Sequence, residues 1–202
     1  MTLWEQFGQI DIYVFDQLLR GNIAPGMRVV DAGCGGGRNL VYLLREGYEV
    51  FGVDANAGAV EHVRGIAREL APGLPAENFQ VAAIQAMPFP DAFADVVVCN
   101  SVLHFATGDA QFDAMVKSMW RVLRPGGLLF ARLGSTIGMG FPRAGGASER
   151  LFRMPDGQTW YLADEGMLMG LTQQLGGRLV DPLKTTVVQG QRCMTTWVVR
   201  KG

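Results

Sequence analysis

The sequence predicts an α/β fold, with a mostly parallel sheet, helices on both of its faces and an antiparallel hairpin at its C-terminal end. Three observations lead there. Short apolar runs alternate with segments of helical periodicity between residues 27 and 133. The runs, such as "MRVVDA" and "DVVVCN", are apolar at consecutive positions, as strands buried on both faces are. The chain then closes on two strand-like stretches joined by Gln189-Gly190-Gln191.

The elements follow in order. Trp4, Phe7, Val14, Phe15, Leu18 and Leu19 recur at near-helical spacing, and Gly21 stops a lid helix expected over 1–21. Trp4 and Phe7 are expected to pack as core. "MRVVDA" is the first strand, residues 37 to 46 a helix ended by Gly47, "YEVFGVD" the second strand and 57 to 70 the second helix. "NFQVAA" reads as the third strand, followed by the loop "IQAMPFPDAFA". "DVVVCNSVLHF" begins as the fourth strand and ends in polar residues. Residues 109 to 123 carry Phe112, Met115, Val116, Met119 and Leu123 on one helical face, and "RPGG" separates them from the fifth strand, "LLFARL". Residues 134 to 159, rich in glycine with two prolines, read as a flexible insertion and acceptor lid. A helix around 163 to 175 and strands at 178–189 and 191–200 complete one domain over 1–202.

Composition narrows the function. With 49% hydrophobic and 18% charged residues, the chain suits one compact core. A net charge of -1 gives no electrostatic case for nucleic acid or an anionic membrane. Cys34, Cys99 and Cys193 are few and scattered, which argues against a disulfide framework and for a reducing, cytoplasmic setting. Two histidines and no CxxC spacing leave no metal site in view. The N-terminus lacks a basic leader and an unbroken apolar core, and no stretch reaches membrane-spanning length.

The chemistry gathers around "VVDAGCGGGRN". Gly33, Gly35, Gly36 and Gly37 turn a strand into a helix, so a ligand can approach backbone with no Cβ in the way. Asp54 ends the next strand, where open α/β sheets bind ligands, and its carboxylate can accept both hydroxyl protons of an unphosphorylated ribose. A dinucleotide turn wants G-x-G-x-x-G, but Arg38 stands at the third glycine. Asp31 places an anion beside the turn, repelling a pyrophosphate and attracting a sulfonium or an α-amino group. A ligand with ribose and positive charge is favoured over NAD.

Together with "VFGVDAN", "AMPFPDAFADVVVCNSVLHF" and "RVLRPGGLLFARL", this segment resembles the ordered motifs of class I S-adenosylmethionine (SAM)-dependent methyltransferases, type 11-like, over roughly residues 27 to 133. The resemblance implies a Rossmann-like, seven-stranded sheet whose last strand is antiparallel. It implies that Gly33, Gly35 and Gly37 face the methionine part of SAM, with Asp31 close to its amino group. Asp54 and Ala55 would meet the ribose. Ile84, Gln85 and Ala86 would lie at the adenine, and the backbone carbonyl of Asn100 would accept from the amino group. Many relatives place an Asp where this chain has Ala83. "GCGGGRNLVYLLREGYEV" and "GFPR" also resemble, over a shorter stretch, the tellurite-resistance type of small-molecule methyltransferase. That type carries a late histidine, and this chain has none after His104.

His104, four residues after Asn100, is the candidate general base, with a structural histidine as the competing reading. His62, among Glu61 and Arg64, reads as a surface residue. Arg143, Arg150 and Arg153, with Phe141, Phe152, Trp160 and Tyr161, suggest a mildly basic acceptor lid. The expected activity is methyl transfer from SAM to a small-molecule acceptor, with the oligomeric state open. Rival readings are a non-catalytic SAM-binding sensor or partner subunit, and an NAD-dependent oxidoreductase.

Overall fold

The computed structural model of the chain describes residues 2–146 and 148–202. Met1, within the expected lid helix, and Ala147, within the expected insertion, lie outside the described residues.

The N-terminal segment forms two short helices rather than one, α1 (Leu3–Phe7) and α2 (Ile12–Leu19). Gly8 takes a left-handed φ of +59°, which ends α1, and Asp11 restarts the helix by accepting from the Tyr13 amide. Trp4 is 64% exposed, so it is not core, and Phe7 is only half-buried, stacking on Tyr42 at 5.0 Å. β1 (Arg28–Ala32) runs into the glycine turn. The next helix, α3 (Val41–Arg45), starts four residues later than the pattern suggests, because Gly37 holds φ +74° and cannot be helical. β2 (Glu49–Asp54), α4 (Ala57–Leu70), β3 (Phe79–Val81), β4 (Ala94–Asn100) and α5 (Asp109–Val122) follow the expected order. β5 (Leu123–Gly134) pairs with β4 at Leu123 and again from Leu128, so "RPGG" bulges out between the two contacts.

Beyond β5 lie the hairpin β6 (Leu151–Arg153) and β7 (Thr159–Tyr161), helix α6 (Glu165–Gln174), and strands β8 (Gly177–Leu179), β9 (Lys184–Val188) and β10 (Arg192–Lys201). The main sheet runs β3-β2-β1-β4-β5-β10, with β8 and β9 sharing the outer edge of β10. β1 to β5 are parallel, and β10 is antiparallel to all of its neighbours. One expectation is corrected. The sheet has eight strands instead of seven, because the stretch expected as 178–189 breaks around Pro182, which has no N–H to donate. The last strand forms the expected antiparallel hairpin with β9 at the outer end of the sheet and pairs on its other side with β5. Cys193, Met194, Trp197, Val198 and Val199 are all buried, which requires cover on both faces and neighbours on both sides.

Alternation along the central strands fills two cores. Val29, Val96, Val98, Leu128 and Phe130 face α3 and α4; Val30, Val97, Cys99, Leu129 and Ala131 face α5. Each large side chain buried this way contributes about 1.5–3 kcal/mol. The polar ends of β1, β2 and β4 are thereby fixed along one rim of the sheet.

The insertion is a docked structure, which corrects the expectation of a flexible loop. Asp109, in the first turn of α5, accepts from the Tyr161 hydroxyl (2.7 Å) and the Ser148 hydroxyl (2.9 Å). Arg150 pairs with Asp164 at 2.6 Å. Removing the shared acceptor in Asp109→Ala loses two charge-assisted bonds on an exposed carboxylate, about 1–2 kcal/mol in all. The expected result is faster proteolysis within 143–153, with the unfolding midpoint of the whole chain little changed. An unaltered cleavage rate would show that Asp109 does not hold the insertion.

Candidate functional site

The site lies beyond the C-terminal ends of β1, β2 and β4. The glycine turn is tied to β2: the Gly33 and Cys34 amides donate to the Val53 carbonyl (2.8 and 2.9 Å). The Gly35 amide donates to Asp54 Oδ2 (2.9 Å), and the Asn56 amide to Asp54 Oδ1 (2.9 Å). Asp54 therefore organises the loop, and each of its oxygens retains a lone pair for a ligand hydroxyl.

The glycines divide by task. A Cβ at Gly33 would fall 2.5 Å from Val102 Cγ2, and one at Gly37 would fall 3.1 Å from Val63 Cγ2. Those two permit close packing. At Gly35 and Gly36 a Cβ would meet nothing within 4 Å, so these two face open space.

That space is a cavity of about 550 Å³ whose wall includes Gly33, Gly35, Asp54, Asn100 and Gln9. A smaller one of about 270 Å³ continues it past Ala55, Ala83, Ile84 and Gln85, the two sharing Gly33, Asp54, Val102 and Phe105. Gly33, Gly35, Asp54, Ala55, Ile84, Gln85 and Asn100 thus lie around one continuous cleft. Asp31, Gly37 and Ala86 do not line it. Asp31 sits behind the turn, 2% exposed, with Oδ1 lacking any hydrogen-bond partner among the described residues. Burial pushes its carboxyl up to about 7; Arg38 opposes this and Asp54 adds to it.

A third chamber of about 630 Å³ adjoins the cleft through Arg38, Ser101 and Phe105. Its walls carry His104, Arg132, Trp160, Met154 and Arg192. Ser101, at the seam, holds a left-handed φ of +65°, a conformation that costs a non-glycine residue about 1–2 kcal/mol. It is fixed by its amide donating to the Arg132 carbonyl (2.8 Å) and its hydroxyl to Asn100 Oδ1 (2.9 Å).

The N-terminal segment closes over this junction. Asp11 is 7% exposed and pairs with Arg132 (3.1 Å) and Arg38 (3.4 Å); Arg38 also donates to Asn100 Oδ1 (3.0 Å). Arg38 stands between cleft and chamber.

His104 is corrected as a general base. Its Nδ1 accepts from the Gly134 amide (3.3 Å), so in the neutral ring the proton resides on Nε2, which is a donor. Burial lowers its pKa to about 4, and the ring stacks on Trp160 at 4.1 Å. The arginines expected in the lid do not line the chamber: Arg143 donates to Glu149, Arg150 pairs with Asp164 and Arg153 is exposed. Arg132 and Arg192 take their place on the chamber wall. Arg132 was legible as a lone charge inside the apolar strand "LLFARL"; Arg192 carried no such signal. His62 is exposed, and the three cysteines are buried and free. Among the described residues, no helix is long and apolar enough to cross a membrane.

Comparison with known proteins agrees with this arrangement. A family model described as a methyltransferase domain matches residues 30–131. An uncharacterized methyltransferase of Synechocystis sp. is 33% identical over 116 residues, covering 56% of this chain and 51% of that protein. The first curated relatives are matched over 36% to 51% of their own length. The fold is shared with a SAM-dependent methyltransferase of Methanosarcina mazei (TM-score 0.71, 22% identity, 91% of this chain and 96% of that one). It is shared too with a Burkholderia thailandensis 1,6-didemethyltoxoflavin-N1-methyltransferase solved with its substrate and S-adenosylhomocysteine (TM-score 0.73, 18% identity, 98% and 80%).

Proposed function

Because the chain belongs to the methyltransferase domain family, we propose that it transfers a methyl group from SAM to a small-molecule acceptor. The observation that carries this reading is the junction of two spaces. A cleft floored by open-faced glycines and closed by Asp54 meets a second, aromatic and basic chamber at Arg38, Ser101 and Phe105.

The residues present fit the cofactor. Gly35 and Gly36 leave room for close approach, and Asp54 offers two oxygens to ribose hydroxyls. Gln85 and Ile84 flank the space an adenine would take, with Gln85 offering an amide where Ala83 has none. Asn100 and the unpartnered Asp31 sit toward the amino-acid end, and Arg38 is positioned for a carboxylate. Gly37 supports this set from behind, packed against Val63, and Ala86 is exposed beside Gln85. When bound, SAM supplies a sulfonium-activated methyl group. The chain's own work is to align the acceptor with that group and exclude water. The segment around Gln9 and Asp11 covers the cleft, and Trp160 with Met154 covers the chamber. We read residues 1–202 as one catalytic unit acting in the cytoplasm on a diffusible acceptor, without nucleic acid or membrane.

The test is calorimetric titration with S-adenosylhomocysteine and with NAD. The expected result is binding of the former alone, weakened at least tenfold in Asp54→Ala, which loses both the ribose acceptor and the loop tie to Gly35. Binding of NAD alone, or an unaffected Asp54→Ala, would sink the assignment.

A further inference from the structure

The chamber carries more charge than its own carboxylates offset. Arg38, Arg132 and Arg192 lie on its wall, against Asp156 at the exposed rim and Asp11 behind. Asp11 is shared between Arg38 (3.4 Å) and Arg132 (3.1 Å), so neither guanidinium has a carboxylate to itself. Arg132 keeps a buried Nε without a partner, and Arg192 makes no ion pair among the described residues. Arg132, which shares its carboxylate, and Arg192, which has none among the described residues, leave guanidinium N–H groups for a monoanion to take up.

The rest of the wall is flat and apolar. Trp160 stacks on His104 with ring centroids 4.1 Å apart, and Phe105 lies 4.5 Å from the same imidazole. His104 is 2% exposed; with Nδ1 committed to the Gly134 amide, its remaining polar atom is a donor, Nε2–H, without a protein partner among the described residues. A donor opening onto a chamber from an otherwise buried ring favours an acceptor oxygen there.

We propose that the chamber recognises a planar organic carboxylate, its ring against Trp160 and its carboxylate within reach of Arg132, Arg192 and the His104 Nε2–H. This rests on the proposed placement of SAM in the adjoining cleft. It also answers why no enclosed base lines the chamber. An ionised carboxylate already has its lone pair: the O–CH3 bond forms as the C–S bond breaks, and that electron pair stays on sulfur. Anion and sulfonium give a neutral ester and a neutral thioether, and no proton moves.

The experiment titrates 2-naphthoate and its uncharged analogue 2-naphthamide into the full chain, by calorimetry and tryptophan fluorescence, with and without S-adenosylhomocysteine. The expected result is at least tenfold tighter binding of the naphthoate. Arg192→Gln, at an exposed position without ion-pair partners, is expected to abolish that preference while leaving S-adenosylhomocysteine affinity unchanged. Trp160→Leu is expected to weaken both probes alike. Equal affinity for the two probes, no binding of either, or a preference that survives Arg192→Gln would overturn the proposal. Failure of S-adenosylhomocysteine to bind in the parallel titration counts against the cofactor assignment alone, because the probe comparison also runs without it.

Discussion

Gly33→Ala is expected to abolish cofactor binding and to destabilise the fold, while Gly35→Ala is expected to abolish binding at far smaller cost to stability. At position 33 two penalties coincide. The backbone holds φ +84°, where a Cβ costs about 1–2 kcal/mol. That Cβ would also fall 2.5 Å from Val102 Cγ2, and overpacking of this kind costs about 1–3 kcal/mol. Val102 is β-branched, so it cannot rotate away freely, and it lines both halves of the cleft. The sum is about 2–5 kcal/mol, read as a lowered midpoint in urea. Gly35 has a left-handed φ of +49° but open space around its Cβ, so the fold bears only the backbone penalty and the new methyl occupies ligand space. Adding Val102→Ala to Gly33→Ala removes the two methyl overlaps and leaves a tight Cβ contact at 3.2 Å and the φ cost, so part of the stability returns. Equal urea midpoints for the two single variants would refute this division of labour.

That division was not legible in the sequence, although the cleft was. The glycines, Asp54 and Asn100 could be placed because each marks the end of a strand, and strands announce themselves by consecutive apolar residues. Spacing along the chain does not say which glycine faces a ligand and which faces a helix; that depends on Val102 and Val63, which lie far away in sequence. The same limit explains the chamber. Its basic wall draws on Arg38, Arg132 and Arg192 from three separate elements, whereas Arg143 and Arg150 in the insertion are used to fasten it. His104 was found by position, but its role turned on one hydrogen bond from Gly134, a residue thirty positions away. The last strand was legible as half of a hairpin, which it is, but spacing did not show that its other side pairs with β5.

Asp31→Asn is expected to stabilise the free protein by several kcal/mol above pH 7 and by nothing near pH 4. The carboxyl is enclosed, lacks a partner for Oδ1, and is pushed from 3.8 to about 7 chiefly by burial, with Asp54 adding to the shift and Arg38 opposing it. The folded state therefore holds this proton more tightly than the unfolded one. Stability falls as pH rises from about 4 to about 7, and above 7 the full cost of the buried anion remains, on the order of 4 kcal/mol. Asparagine removes that charge at nearly the same volume. Urea midpoints of both proteins between pH 4 and 8.5 measure the difference; a gap that does not widen with pH would refute it. The penalty has a function if the cleft receives a cationic amino group, because an anion kept unpaired in the free protein favours a ligand that pairs it. Binding then lowers the pKa of Asp31 and releases a proton between about pH 6 and 7. The heat of S-adenosylhomocysteine binding should accordingly differ between phosphate and Tris for the native chain and not for Asp31→Asn, and the variant should bind more weakly than the native chain at pH 8 but equally well at pH 5.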